Sequence, residues 1–178
     1  MENLKLVKPE LGDKESALSM LDEIRKVDAG LPWQYSGLAD LHKASSYEKW
    51  LEEKVDASKG INLHEGYVPA TIFFLKRESD EKVCGAIDIR HYLNDFLLEV
   101  GGHIGYSITP SERGKGYGKL QLKLGLLEAK KLGIEKCLIT ADVENIASNK
   151  TIISKGGKLE NTVMWKEEPL NRYWINLK

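Results

Sequence analysis

Arg113-Gly114-Lys115-Gly116-Tyr117-Gly118 sets three glycines and two cations between an apolar run, Gly105 to Thr109, and a helix-like stretch, Gly116 to Leu132. Glycine lets a backbone approach a ligand closely and take positive φ, and the unpaired N–H groups and dipole of a helix start favour an anion. Arg113 and Lys115 add positive charge at the same point, so the stretch suits a phosphate or pyrophosphate. Other nucleotide motifs fit less well. G-x-x-x-x-G-K-S/T is absent, and the spacing Gly114-x-Gly116-x-Gly118 differs from G-x-G-x-x-G. The bland alternative is a tight strand-to-helix turn with no ligand.

The chain around this loop has 178 residues, 42% hydrophobic and 30% charged, the profile of one packed domain spanning 1–178. Its 26 basic and 27 acidic residues leave a net charge of -1. No global field is available to hold nucleic acid or an anionic membrane, so an anion site must be local. The first thirty residues lack the apolar core of a secretory signal, and no run approaches the ~18 residues of a membrane helix. Cys84 and Cys137 lie in apolar, strand-like stretches without zinc-ligand spacing. They read as buried thiols of a reducing compartment, which implies a cytoplasmic protein with no metal.

The elements that must position the loop follow from periodicity. Residues 3–8 alternate as a short strand ended by Pro9. From Lys14 to Asp28, Ala17, Leu18, Leu21, Ile24 and Val27 mark one face of a helix, and a second helix runs from a Ser45 or Ser46 cap to Ser58. The aromatic segment 31–44 between them has no clean period, and could be packing or could line a pocket. Tyr67 to Arg77, Lys82 to Arg90 and Leu97 to Thr109 read as three strands of an antiparallel meander. After the amphipathic helix ending at Gly133, Lys136 to Val143 reads as a buried strand in parallel pairing with the one before the loop. A short helix (Ala147 to Ser154) and two strands (Leu159 to Lys166, Arg172 to Leu177) complete the chain.

With these motifs the chain resembles the GNAT superfamily. That family's hallmark is a strand followed by Q/R-x-x-G-x-G/A at a helix start, and Arg113 to Gly118 matches every fixed position. Asn145-Ile146-Ala147-Ser148 resembles the family's N-x-x-A/S opening of the next helix, and Lys155-Gly156 its end. The resemblance implies an α+β fold with a central mixed, mostly antiparallel sheet, a splayed parallel strand pair and flanking helices. It implies an N-acetyltransferase that moves an acetyl group from acetyl-CoA to a small-molecule or peptide amine in a ternary complex, and it leaves a homodimer open. The amides of Gly114, Gly116, Tyr117 and Gly118, with Arg113 and Lys115, would face the CoA pyrophosphate. The backbone of Tyr106, Ser107 and Ile108 would pair with the pantetheine arm, and Asn145 and Ser148 would meet that arm from the far side. Asp88, Arg90, His91 and Asn94 lie where the acceptor enters in the family.

Amine attack on a thioester needs a neutral nucleophile, an oxyanion donor and a proton for the leaving thiolate. The resemblance puts the base eleven residues before Arg113, at Gly102, which cannot serve. His103, Glu99 and Asp142, with Glu144 beside the last, are the candidates nearby. The family's acid position falls on Ile152, so Tyr173 or Tyr106 would have to substitute. A CoA-binding module without chemistry is the competing reading.

Overall fold

The computed structural model describes residues 2–178. Strand β1 (Leu4–Val7) leads into helix α1 (Lys14–Val27). Helix α2 (Tyr47–Ser58) follows, capped where the Ser46 hydroxyl accepts from Lys49 N–H. β2 (Ala70–Arg77), β3 (Val83–Arg90) and β4 (Ile104–Ile108) join β1 in an antiparallel sheet ordered β1-β2-β3-β4. After the glycine loop come α3 (Tyr117–Lys131), β5 (Lys136–Asp142) and α4 (Ile146–Ser154). β6 (Lys158–Trp165) and β7 (Glu168–Asn176) complete a second antiparallel sheet ordered β5-β7-β6.

The first sheet is apolar on both faces, which explains why its strands read as near-continuous hydrophobic runs. Ile72, Phe74 and Ala86 pack with Met20 and Ile24 of α1 and Trp50 of α2. Phe73, Ile87, Ile89 and Ile104 pack on the other face with Leu122 and Leu126 of α3 and with Ile139 and Tyr173 of the second sheet. At Gly125 the contact is so close that a Cβ would lie 2.3 Å from Ile87 Cδ1.

Three expectations are corrected. The run Leu97 to Thr109 is not one strand: Leu97–Gly101 forms a π-helical turn before β4. Asn94 Oδ1 accepts from Leu97 N–H and starts this turn, Leu97 and Val100 bury one side of it, and Gly102 at φ 65 ends it. The last strand begins earlier than Arg172, running through Pro169, whose carbonyl accepts from Val143 N–H. The expected pairing of β4 with β5 shrinks to one clasp, and the two strands continue in different sheets.

Candidate active site

The clasp holds the two sheets together at the amino ends of β4 and β5. His103 N–H donates to Leu138 O at 2.7 Å, and Leu138 N–H donates back to His103 Nδ1 at 2.9 Å. A backbone carbonyl would have extended the ladder, whereas the imidazole ends it. Gly102 permits the approach, because a Cβ there would sit 2.8 Å from Leu138 O. The vacant base position is therefore a packing requirement of the clasp.

Beyond the clasp β4 has a free edge. Arg90 N–H donates to His103 O and Thr109 N–H to Cys84 O. By antiparallel alternation, Gly105 and Ser107 bond to β3 while the backbone groups of Tyr106 and Ile108 face the gap. Gln121 Nε2 reinforces this by donating to Ala86 O and Ser107 O. The Ser107 hydroxyl is buried without a hydrogen-bond partner. Tyr106 reaches across the gap, its hydroxyl 3.0 Å from Ser148 Oγ of α4, and burial pushes the phenol up to about 12. Asn145 is the N-cap of α4, with Oδ1 accepting from Ser148 N–H, and it lines the same cavity.

The glycine loop closes the carboxyl end of β4. Gly114 and Gly116 have φ of 78 and 81, and a Cβ on either would meet nothing within 4 Å, so both lie in open space. Leu120 N–H bonds back to Gly116 O, which leaves the amides before it as the orphan donors of the α3 start. The cations are engaged elsewhere. Arg113 donates from Nε to Ile108 O and from its two terminal nitrogens to buried Asp28 at 2.8 and 2.5 Å, fixing the loop to the end of α1. Lys115 Nζ is 2.8 Å from Glu112. The pair Arg113–Asp28 joins residues far apart in sequence, and nothing in the chain's periodicity announces it.

A cavity of about 710 Å³ opens from the splayed strands toward segment 31–44. Trp33, Tyr35, Asp40 and His42 of that segment line it, and Tyr35 also packs against the α1–α2 core and stacks on His42. Asp88, Arg90 and Asp142 of the anticipated residues also line it. Asp88 is buried, lies 3.2 Å from Arg90 Nε, and is raised above the usual carboxylate range by burial. Asp142 accepts from Glu144 N–H through Oδ1, while its Oδ2 is sealed without a partner.

The other candidates fall outside the cavity wall. Glu99 is exposed on the π-helical turn, because the strand expected to carry it is not there. His103 is buried in the clasp, and burial followed by the nearby Arg90 charge holds its imidazole down at about 4. Tyr173 is buried with its hydroxyl donating to Asn149 Oδ1 at 2.7 Å. His91 pairs with Thr71 Oγ1 at 2.8 Å, and Asn94 ties Gly66 O to the turn. Among the described residues no cluster of metal-ligating side chains is found, and no helix is long and apolar enough to cross a membrane.

Solved structures share this architecture at low identity. A microcin self-immunity acetyltransferase in complex with acetyl-CoA and AMP aligns with a TM-score of 0.69 at 18% identity, covering 99% of this chain and 93% of that one. A Salmonella typhimurium acetyl transferase that modifies the N-terminal serine of a 50S ribosomal subunit protein gives 0.67 at 18%, covering 97% and 94%. A spermidine N-acetyltransferase chimera from Vibrio cholerae and hSSAT gives 0.65 at 15%, covering 98% and 95%. No curated protein matches the sequence. The model of the acetyltransferase (GNAT) domain matches residues 3–158, and the chain belongs to that family of acetyltransferases.

Proposed function

We propose that the chain transfers the acetyl group of acetyl-CoA to a primary amine of a small molecule or peptide by direct attack in a ternary complex. The observation that carries this reading is the free edge of β4 at Tyr106 and at the Ile108 N–H, which runs into an open glycine loop on one side and a cavity on the other. Pantetheine takes the place of the missing strand, the loop amides take the pyrophosphate, and the acceptor enters past Asp88 and Arg90. Because Arg113 and Lys115 are paired with Asp28 and Glu112, the anion is held chiefly by backbone donors. Relatives of this fold that act on spermidine and on a ribosomal protein's N-terminal serine support an amine acceptor, while the fold itself leaves the acceptor open. Buried, unpaired Cys84 and Cys137 suit a cytoplasmic setting.

A second reading, a CoA-binding module without chemistry, is favoured by Gly102 and fully buried Ile152 at the family-like base and acid positions. Free-thiol release from acetyl-CoA across an amine and peptide panel separates them. Turnover with at least one amine is expected, whereas tight CoA binding without turnover for any acceptor would establish the second reading.

A further inference from the structure

Asp88 stands one strand across from the acyl donor's place. Its Cα partner in the sheet is Gly105, which directly precedes Tyr106. Gly105 has no side chain to wall off the carboxylate, and a Cβ there would come within 3.1 Å of Gly37 N and 3.4 Å of the Arg90 guanidinium. Asp88 lines the cavity with its side chain 11% exposed, so the carboxylate is shielded yet reachable. Among the described residues its one ion-pair partner is Arg90, at 3.2 Å. Asp142, the other carboxylate beside the gap, spends one oxygen on Glu144 N–H and keeps the other sealed.

We infer that Asp88 is the carboxylate that takes the proton from the attacking amine, with Arg90 positioning it. The inference rests on the acetyl-transfer reading above. A neutral amine attacks the thioester carbonyl, and Asp88 accepts one N–H proton as the C–N bond forms. The C–S bond then breaks, the thiolate takes a proton from water, and Asp88 returns its own to solvent. Burial holds the carboxyl above its ordinary range and so makes it a better base, with Arg90 and Lys54 opposing that shift, Asp40 reinforcing it, and His91 opposing it when charged.

The test is kcat/KM against pH for wild type, Asp88→Asn, Asp88→Glu and Asp142→Asn. It uses acetyl-CoA and the best acceptor among spermidine, an N-terminal seryl peptide and tyramine. Asp88→Asn should lower kcat/KM by ~10²–10⁴-fold and lose the acid limb, with the CoA-induced melting shift retained and Asp88→Glu recovering part of the rate. In wild type, acceptors of different amine pKa should leave that limb in place, a result that needs no variant to fold. Full activity with the limb intact in Asp88→Asn overturns the inference, as does an acid side set by the amine's pKa alone, or a limb lost only in Asp142→Asn. Absence of wild-type turnover with every amine would instead overturn the acetyl-transfer reading beneath it.

Discussion

Glu112 and Asp88 are both buried carboxylates on the first sheet's side of the gap, and they are compensated in opposite ways. Glu112, in the turn before the glycine loop, receives Arg77 at 2.9 Å and Lys82 and Lys115 at 2.8 Å each. Burial alone would raise its carboxyl, but hydrogen bonds from Lys115, Lys82 and Arg77 hold it down at about 2. Asp88 has Arg90 beside it, and burial wins there. A fully compensated charge positions its neighbours and has little left to react, whereas an under-compensated one can exchange a proton. The loop side is built by saturation, down to its own Arg113 and Lys115, and the Asp88 side of the cavity is left electrostatically open.

The largest effect should come from breaking the saturated side. Glu112→Ala leaves Lys82 and Lys115 without their carboxylate and Arg77 to Asp80 and Glu2 beside a buried site, and should cost about 3 kcal/mol in urea denaturation. Because the folded carboxyl lies below its ordinary 4.5, its contribution is fully present above that value and is lost as pH falls toward about 2. The variant should lose that part of the acid dependence, and a cost below about 1 kcal/mol would break the comparison. Next comes Gly116→Val. CoA at ~100 times its Kd should raise wild-type stability by about 2.7 kcal/mol, and the variant should forfeit most of that shift. A side chain at φ 81 is strained and would occupy the open space above the loop. An unchanged CoA-induced melting shift would show that the loop does not hold the anion.

The loop side is also the legible side. A strand, a glycine turn and an amphipathic helix are local patterns, and Ser46 starts a helix and Gly133 ends one as their types suggest. The cavity side depends on contacts that periodicity does not carry. Leu97 to Val100 has the composition of a strand, yet Asn94 caps it and Leu97 and Val100 share a face at helical spacing, a signal the apolar content obscured. Gly102 was visible as an absence of a base, but its role as the point where two strands touch follows only from β5 lying against it. The resemblance points to Asp88 only as an acceptor residue, and its burial and its pairing with Arg90 emerge from the folded sheet. Pro169 would ordinarily argue against a central strand, and it is accommodated near the start of β7, where it pairs with Met164.

The smallest effect sharpens the boundary between the two sides, at His103. Leu138 N–H is sealed and depends on Nδ1 as its acceptor, so removing that acceptor should cost about 1–3 kcal/mol. Asn carries its side-chain oxygen near the place of Nδ1, whereas Gln carries it farther out, near Nε2. His103→Gln should therefore be less stable than His103→Asn by about 1 kcal/mol, and should raise the acetyl-CoA KM more, since the clasp sets how far the strands part. The pH dependence distinguishes the imidazole from mere packing. Its folded pKa of about 4 lies below the ordinary 6.5, so the unfolded chain takes up the proton first as pH falls. Stability from the neutral ring is complete above 6.5 and declines as pH drops through about 4, a window above the one Glu112 governs. His103→Asn should lessen the slope of the upper window, to which His42 and His91, also held below 6.5 by burial, contribute as well, and leave the lower one intact. Equal stability of the Asn and Gln variants with an unchanged upper slope would mean that the ring merely fills space, and that backbone contact at Gly102 alone holds the strands at the point where they part.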